Sequence, residues 1–369
     1  MARACCVERA AVRALIRACV AAEALRANLR QLRATAPDSR VLAVVKANAY
    51  GHGLVGTARA LPEADAFAVA RLDEAIHLRQ AGIGQPLVLL EGVFDAEQLA
   101  EAAYWHLELV VHDASQLVLL EQWRGSHRFT LWLKIDSGMN RLGFRTEEFA
   151  GAWQRLNALP TPAALVRVLT HLASADDTGG ALNQQQLQRF WPLVAGLQAE
   201  LSIANSAALL RLPATRVQWV RPGLALYGVS PFSGETGRGL GLQPAMTLES
   251  TVIALRSVKR GESVGYGARW RAARDSRVAI LAAGYGDGLL RSLPDGAPVW
   301  VRGQRLPLAG CVSMDMIAVD ATELPDLGVG EPVELWGRNL PVEELAAAAG
   351  TIPYELLCGV SQRVPVELL

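Results

Sequence analysis

The chain reads as an α/β protein: an N-terminal (β/α)8 TIM-type barrel followed by a mostly antiparallel β domain. Three observations predict this. Eight short, β-branched apolar runs alternate with Ala/Leu/Arg-rich stretches of helical spacing through the first two thirds of the 369 residues. After about residue 245 the texture changes to strand-like runs separated by Gly, Pro and Asp turns. Unusual polar residues fall where the eight early runs end, which is where a parallel barrel gathers its active groups.

Taken in order, Val12–Val20 reads as a strand that can join the β domain and leads into a helix over Ala22–Ala34. Residues 1–11 carry no assignment. The eight strand-like runs are Val41–Lys46, Ala66–Ala70, Pro86–Leu90, Leu107–His112, Phe129–Asp136, Leu165–Leu172, Leu201–Asn205 and Val217–Arg221. Between them Leu72–Ala81, Ala96–Tyr104, Ser115–Trp123, Glu147–Leu156 and Asn183–Leu197 place apolar residues at helical spacing. That count and length predict a closed parallel barrel over residues 12–245. A doubly wound open sheet shares the pattern, and periodicity does not separate the two. In the second domain, residues 246–369, strands are expected at Met246–Val258, Val278–Ala283, Pro298–Val301, Met316–Asp320 and Pro332–Trp336, with one helix at Val342–Ala349.

Composition excludes several classes. Apolar residues make up 51% and charged residues 20%, an ordinary globular profile. Lys+Arg and Asp+Glu both number 36, so the chain lacks the basic footprint that tracks a nucleic-acid backbone. The cysteines Cys5, Cys6, Cys19, Cys311 and Cys358 are odd in number and irregularly spaced, with no C-x-x-C pair. Neither a disulfide framework nor a structural metal site is suggested, which fits a reducing cytoplasm. Glu8, Arg9, Arg13 and Arg17 interrupt the apolar start, and no apolar run reaches about 18 residues, so neither a secretory leader nor a membrane span is expected.

Chemistry concentrates at the ends of the early strands. Lys46 closes the first within V-V-K-A-N-A-Y-G-H-G, and Arg141 follows the fifth in K-I-D-S-G-M-N-R-L-G-F. His171 ends the sixth in V-L-T-H-L-A-S, Asn205 and Ser206 end the seventh, and Arg221 ends the eighth in W-V-R-P-G. Each alone has an ordinary structural reading: a snorkelling lysine, a satisfied histidine, a surface ion pair. Gly286-Asp287-Gly288 alone would be a turn. On one rim they point elsewhere. A desolvated lysine loses its charge more easily and becomes nucleophilic. Glycines and a helix start after the last strands form a phosphate seat. A nucleophilic lysine, a phosphate seat and a basic partner for a ring nitrogen together suggest pyridoxal 5'-phosphate (PLP).

These blocks, continued by A-N-S-A, V-R-P-G-L-A-L-Y-G, V-G-Y-G, A-G-Y-G-D-G and V-S-M-D-M, resemble those of the alanine racemases, PLP enzymes of fold type III. The likeness runs from about residue 12 to the end, with the blocks in the family's order. It implies that Lys46 carries the cofactor and serves as base on one face of Cα. Tyr266 resembles the opposing base, lent by the partner subunit of a homodimer, with Met314 of that partner closing the same pocket. Arg221 would face the pyridine nitrogen, and His171 would link it to Tyr266. Tyr50, Ser206, Gly223 and Leu224 match phosphate-holding positions. Arg141 matches a residue that contacts the cofactor's phenolic oxygen and the substrate carboxylate. Asp176, Tyr285, Arg291 and Asp315 match positions along a narrow entry. Lys134 matches a lysine that some relatives carry as a carbamate. Cys311 and Ser313 replace an arginine and a cysteine found in some members, and Gln362 stands where some place a further phosphate-contacting tyrosine.

The implied chemistry is coherent. Racemisation needs two bases on opposite faces, and a tyrosine, with an ordinary pKa of about 10, must be pulled down by nearby positive charge such as a His171–Arg221 relay. An arginine cannot readily protonate the ring nitrogen, since its pKa exceeds about 12, and this favours return of the proton to Cα. Other small amino-acid racemases and fold-related PLP decarboxylases share the barrel lysine, but the Met314/Asp315 block argues for a small side chain. A non-catalytic PLP carrier would have no use for a β domain bearing Tyr266.

Overall fold

The computed structural model describes residues 14–369. Residues 1–11 and the start of the Val12–Val20 strand lie outside them, and the strand observed is Arg17–Val20 (β1). Eight parallel strands then close into a barrel: Arg40–Val44 (β2), Ala66–Val69 (β3), Leu87–Leu89 (β4), Glu108–Val111 (β5), Thr130–Lys134 (β6), Leu165–Leu169 (β7), Leu201–Ser202 (β8) and Trp219–Val220 (β9). Pairing of β2 with β9, Arg40 opposite Trp219 and Val41 opposite Val220, decides against the open sheet. Every barrel strand coincides with an expected run, but the ladders of β2 and β9 stop short of their polar residues. Lys46 lies beyond β2, and Arg221 lies beyond β9 with its N–H donating to Ala204 O at 2.8 Å. The chain remains bonded while its side chains are released at the rim.

The barrel interior is filled, as a closed eight-stranded sheet requires. The hydrocarbon core inside and around the barrel includes Leu42, Phe67, Val88, Leu131 and Leu133, all fully buried. Toward the N-terminal ends of the strands the filling becomes charged. Arg167 is clamped between Trp132 and Trp219, 4.8 Å from each ring, and donates to Glu108 at 2.8 Å and Glu200 at 2.7 Å. The indole N–H groups of Trp132 and Trp219 donate to the same two carboxylates. No local pattern in the sequence marks this plug, because its members lie on five different segments.

The second domain comprises Met246–Val258 (β10), Ser263–Val264 (β11), Trp270–Arg271 (β12), Ser276–Leu281 (β13), Pro298–Val301 (β14), Gln304–Pro307 (β15), Ile317–Asp320 (β16), Pro332–Trp336 (β17) and Val366–Leu368 (β18). β10 is its spine, antiparallel to β1, β13 and β17. β1 also pairs in parallel with β18, so the first described strand is built into the sheet of the C-terminal domain. β14 and β15 form a hairpin turned by Arg302 and Gly303, both at positive φ, the geometry that suits a tight hairpin. Two helices follow, Val342–Ala348 as expected and Pro353–Gly359, which lies outside the expected elements. Among the described residues no helix is long and apolar enough to cross a membrane.

Candidate active site

The site begins where β2 ends. After Lys46, the residues Ala47, Asn48, Ala49 and Tyr50 all adopt φ between +52° and +55°, one turn of left-handed helix. Such a turn costs L-residues roughly 1–2 kcal/mol each, so its surroundings must hold it. Ala47 N–H donates to Glu74 at 2.6 Å, Asn48 Oδ1 accepts from Leu54 N–H at 2.8 Å, and Gly51 N–H donates to Ala47 O at 3.1 Å. Gly51 sits at φ +79°, and a Cβ there would lie 2.0 Å from Leu357 O, so the Pro353–Gly359 helix presses directly on the turn.

The turn buries Tyr50 and aims its hydroxyl at Gly223, where a Cβ would come within 2.4 Å of it. Ser206 Oγ accepts the N–H groups of Gly223 at 2.9 Å and Ala225 at 3.2 Å. Hydroxyls of Tyr50 and Ser206 thus converge on a backbone that only glycine lets close in. Burial pushes the Tyr50 hydroxyl above its ordinary range, so it stays a neutral donor.

These groups line a cavity of about 680 Å³ at the barrel mouth, together with Lys46, Lys134, Arg141, His171, Arg221 and Leu224. Lys46 is half-buried on this wall, rather than fully desolvated as its place in the sequence would suggest. Arg221 is buried and holds its position through neutral acceptors: Ser202 Oγ and Thr170 O at 2.6 Å, and Ile203 O at 3.2 Å. Burial lowers its pKa to about 10, which leaves it charged at neutral pH. Its Nη2 stands 3.4 Å from His171 Nδ1. Burial, then the charges of Arg221, Lys134, Arg141 and Lys46, push the His171 imidazole well below its ordinary pKa. It is therefore neutral, and the positive charge attributed to a His171–Arg221 relay resides on Arg221 alone. Lys134 falls to about 8, first by burial and then by Arg141, Arg221 and Lys46. The wall carries four cationic side chains against one carboxylate, Glu91. A doubly charged phosphate and a carboxylate suit such a field, and the Tyr50–Ser206–Gly223 cradle suits the phosphate of PLP.

Other expected residues stand apart from this cavity within the chain. Tyr266 is 71% exposed on a turn between Gly265 and Gly267, both at positive φ. Met314 and Tyr285 are exposed as well, on neighbouring loops tied by Tyr285 N–H to Ser313 O at 2.9 Å and Gly286 N–H to Met314 O at 2.8 Å. Arg363 braces these loops, donating to buried Asp287 at 2.7 Å and to Asp315 at 2.6 Å. Cys311 lies beside the Tyr266 turn, its Sγ 3.6 Å from Arg269 Nη1. Asp176 and Arg291 are exposed.

The structure adds Tyr354 and Cys358 to the cavity, both on the Pro353–Gly359 helix. Tyr354 packs 5.9 Å from Tyr50, and burial pushes its hydroxyl up to about 12. Gln362 does not line the cavity, whereas Tyr354 does. Pro353 at the first helical position was the available signal.

Comparison with known proteins agrees with this geometry. The family model described as alanine racemase, N-terminal domain matches residues 20–231, and alanine racemase, C-terminal domain matches 245–368. An alanine racemase of Vibrio parahaemolyticus is 47% identical over 351 residues, covering 95% of this chain and 98% of that protein. One of Yersinia pestis is 48% identical over 346 residues, covering 94% and 96%. The crystal structure of the biosynthetic alanine racemase from Pseudomonas aeruginosa superposes with a TM-score of 0.93 at 43% identity, covering 97% of this chain and all (100%) of that one. The structure of alanine racemase from Acinetobacter baumannii superposes with a TM-score of 0.92 at 37% identity, with the same coverage of 97% and 100%. The chain belongs to the alanine racemase family.

Proposed function

We propose that this chain interconverts L-alanine and D-alanine with PLP held at Lys46, working as a homodimer in which each β domain completes the partner's barrel site. One observation carries the reading: a cationic cavity at the barrel mouth sets Lys46 among a phosphate cradle and an arginine whose partners are all neutral. Bound there, PLP draws off the charge that builds on the substrate's Cα when its proton leaves.

The chain's own groups do the rest. Lys46 anchors the cofactor and moves a proton at one face of Cα. Tyr50, Ser206 and the backbone at Gly223 and Leu224 hold the phosphate. Arg221 offers the ring nitrogen a donor that resists giving up its proton, since even burial leaves its pKa at about 10. Arg141, exposed on the rim, binds the substrate carboxylate. Lys134 has an amine lowered to about 8, which raises the neutral fraction that can add carbon dioxide; the resulting carbamate would brace Arg141. Tyr266 serves the opposite face from the partner subunit, a role supported by its exposure beside Met314's loop. Asp176, Tyr285, Arg291 and Asp315 frame the entry, and the two domains meet near residue 245.

Incubation with L-alanine and PLP should form D-alanine, followed by polarimetry or a D-amino-acid oxidase assay. Release of carbon dioxide without D-alanine would instead favour a decarboxylase. Purified protein should be yellow and Lys46→Ala colourless; a colourless wild type supplied with PLP would overturn the assignment of Lys46.

A further inference from the structure

We propose that His52 is a positioning residue for Lys46 and Tyr50, held in place by one enclosed water molecule that it shares with Trp336 and Glu343 of the C-terminal domain. The proposal deepens the racemase reading and rests on it for its cofactor readout; the water does not depend on it.

His52 is buried directly after the left-handed turn. Its Nδ1 lies 2.9 Å from Tyr50 O and 3.1 Å from Ala49 O. Two carbonyl oxygens only accept, so Nδ1 carries the proton and Nε2 presents a lone pair. Burial lowers the His52 pKa to about 4, so the ring is neutral at working pH. The N–H thus ties down the last two carbonyls of the strained turn that displays Tyr50. The ring packs 4.4 Å from Tyr227, whose hydroxyl donates to Val44 O at 3.0 Å in the strand that leads to Lys46.

The far side of the ring is unsatisfied. His52 Nε2 finds no hydrogen-bond partner among the described residues, and neither does Trp336 Nε1, also fully buried. Both residues line one cavity of about 10 Å³ between the domains. That volume suits one water, and a water there needs two to four polar partners. An indole N–H can only donate and His52 Nε2 can only accept, so a single water satisfies both: it accepts from Trp336 and donates to His52. Glu343 lines the same cavity. Its Oε1 accepts from Ser230 and Gly237 N–H groups at 2.9 and 2.8 Å, which leaves Oε2 for the second water proton. A contrasting cavity of the same size is lined only by apolar residues such as Leu289, Ile317 and Leu335, and should stay dry. The water therefore keys the cofactor-bearing turn to the β domain, alongside the contact of Gly51 with Leu357.

Crystal structures of the holoenzyme and of PLP-stripped protein should both show one ordered water bonded to His52 Nε2 and Trp336 Nε1. A dry cavity, or a ring turned to pair Nε2 within the protein, overturns the bridge. Titration of PLP, read by visible absorbance and equilibrium dialysis, tests the positioning. His52→Leu should weaken cofactor binding about 10-fold. His52→Asn, whose amide N–H occupies the Nδ1 position, should stay within about 3-fold. Wild-type affinity in His52→Leu, or equal loss in both variants, overturns the positioning role. Trp336→Phe keeps an aromatic side chain and removes the donor; loss of the water with about 3-fold weaker PLP binding is expected, and unchanged binding with the water still present overturns its contribution. Thermal melts identify any variant that fails to fold, in which case Trp336→Phe carries the test. A wild type that takes up no PLP would sink the functional reading, whereas a PLP-binding wild type with unaltered variants sinks this proposal alone.

Discussion

Nη2 of Arg221 lies 3.4 Å from Nδ1 of His171, so a buried guanidinium faces an imidazole that burial and neighbouring cations keep neutral. The pair carries one charge, fixed on the member that cannot easily release a proton.

Replacement of Arg221 tests that arrangement. Arg221→Glu would set a carboxylate facing the ring nitrogen, favouring a protonated ring and spread of charge away from Cα. D-alanine formation should fall at least about 100-fold, while pyruvate formed per D-alanine rises. Arg221→Lys, which keeps a positive charge, should retain more of the original ratio. A Glu variant with the wild-type product ratio would refute the role.

The exposed Tyr266 predicts an asymmetric defect. With one base on each face, Tyr266→Phe should slow solvent-deuterium exchange at Cα from one enantiomer far more than from the other. Equal residual exchange from both would contradict a two-base division of labour with Lys46.

Gly223 predicts a steric test. A Cβ there would sit 2.4 Å from Tyr50 Oη, and the Tyr50 ring is packed by Tyr227 and Tyr354 at 4.9 and 5.9 Å. Gly223→Ala should weaken PLP binding about 10-fold. Because Tyr50→Phe removes the clashing atom, the double variant should bind no worse than Tyr50→Phe alone, a coupling that equilibrium dialysis would reveal.

The charged plug predicts a stability effect remote from catalysis. Arg167→Ala takes from Glu108 its ion-pair partner and leaves Glu200 to Arg40 alone, and should cost roughly 3–5 kcal/mol. The plug also predicts acid sensitivity. Burial tends to raise the Glu200 carboxyl, but hydrogen bonds from Trp219, Arg167 and Arg40 outweigh it and bring it to about 2. With an unfolded value of about 4.3, its contribution is full above that pH and fades as the pH falls toward 2. Urea midpoints at neutral and acid pH should show a steeper acid loss in wild type than in Arg167→Ala.

Much of the site was legible because its residues fall in blocks at strand ends. Lys46, Arg141, His171, Ser206 and Arg221 all reach one rim of the barrel, and the structure gathers them around one cavity. Tyr354 was overlooked because its helix is short and lies in the other domain, so nothing local linked it to Tyr50. The Arg167 plug escaped for the same reason. Its partners Glu108 and Glu200 lie 59 and 33 positions away along the chain, and charge complementarity at that range has no periodicity to betray it.

Local sequence determined which segments are strand or helix, and which polar groups stand at strand ends, because hydrophobic spacing records the face each segment buries. Tertiary structure decided the closure between β2 and β9, the placing of Arg17–Val20 in the C-terminal sheet, and the left-handed run from Ala47 to Tyr50. That run opposes the intrinsic preference of Ala47, Ala49 and Tyr50. It exists because Glu74, Leu357 and His52, brought in from outside it, hold it in place.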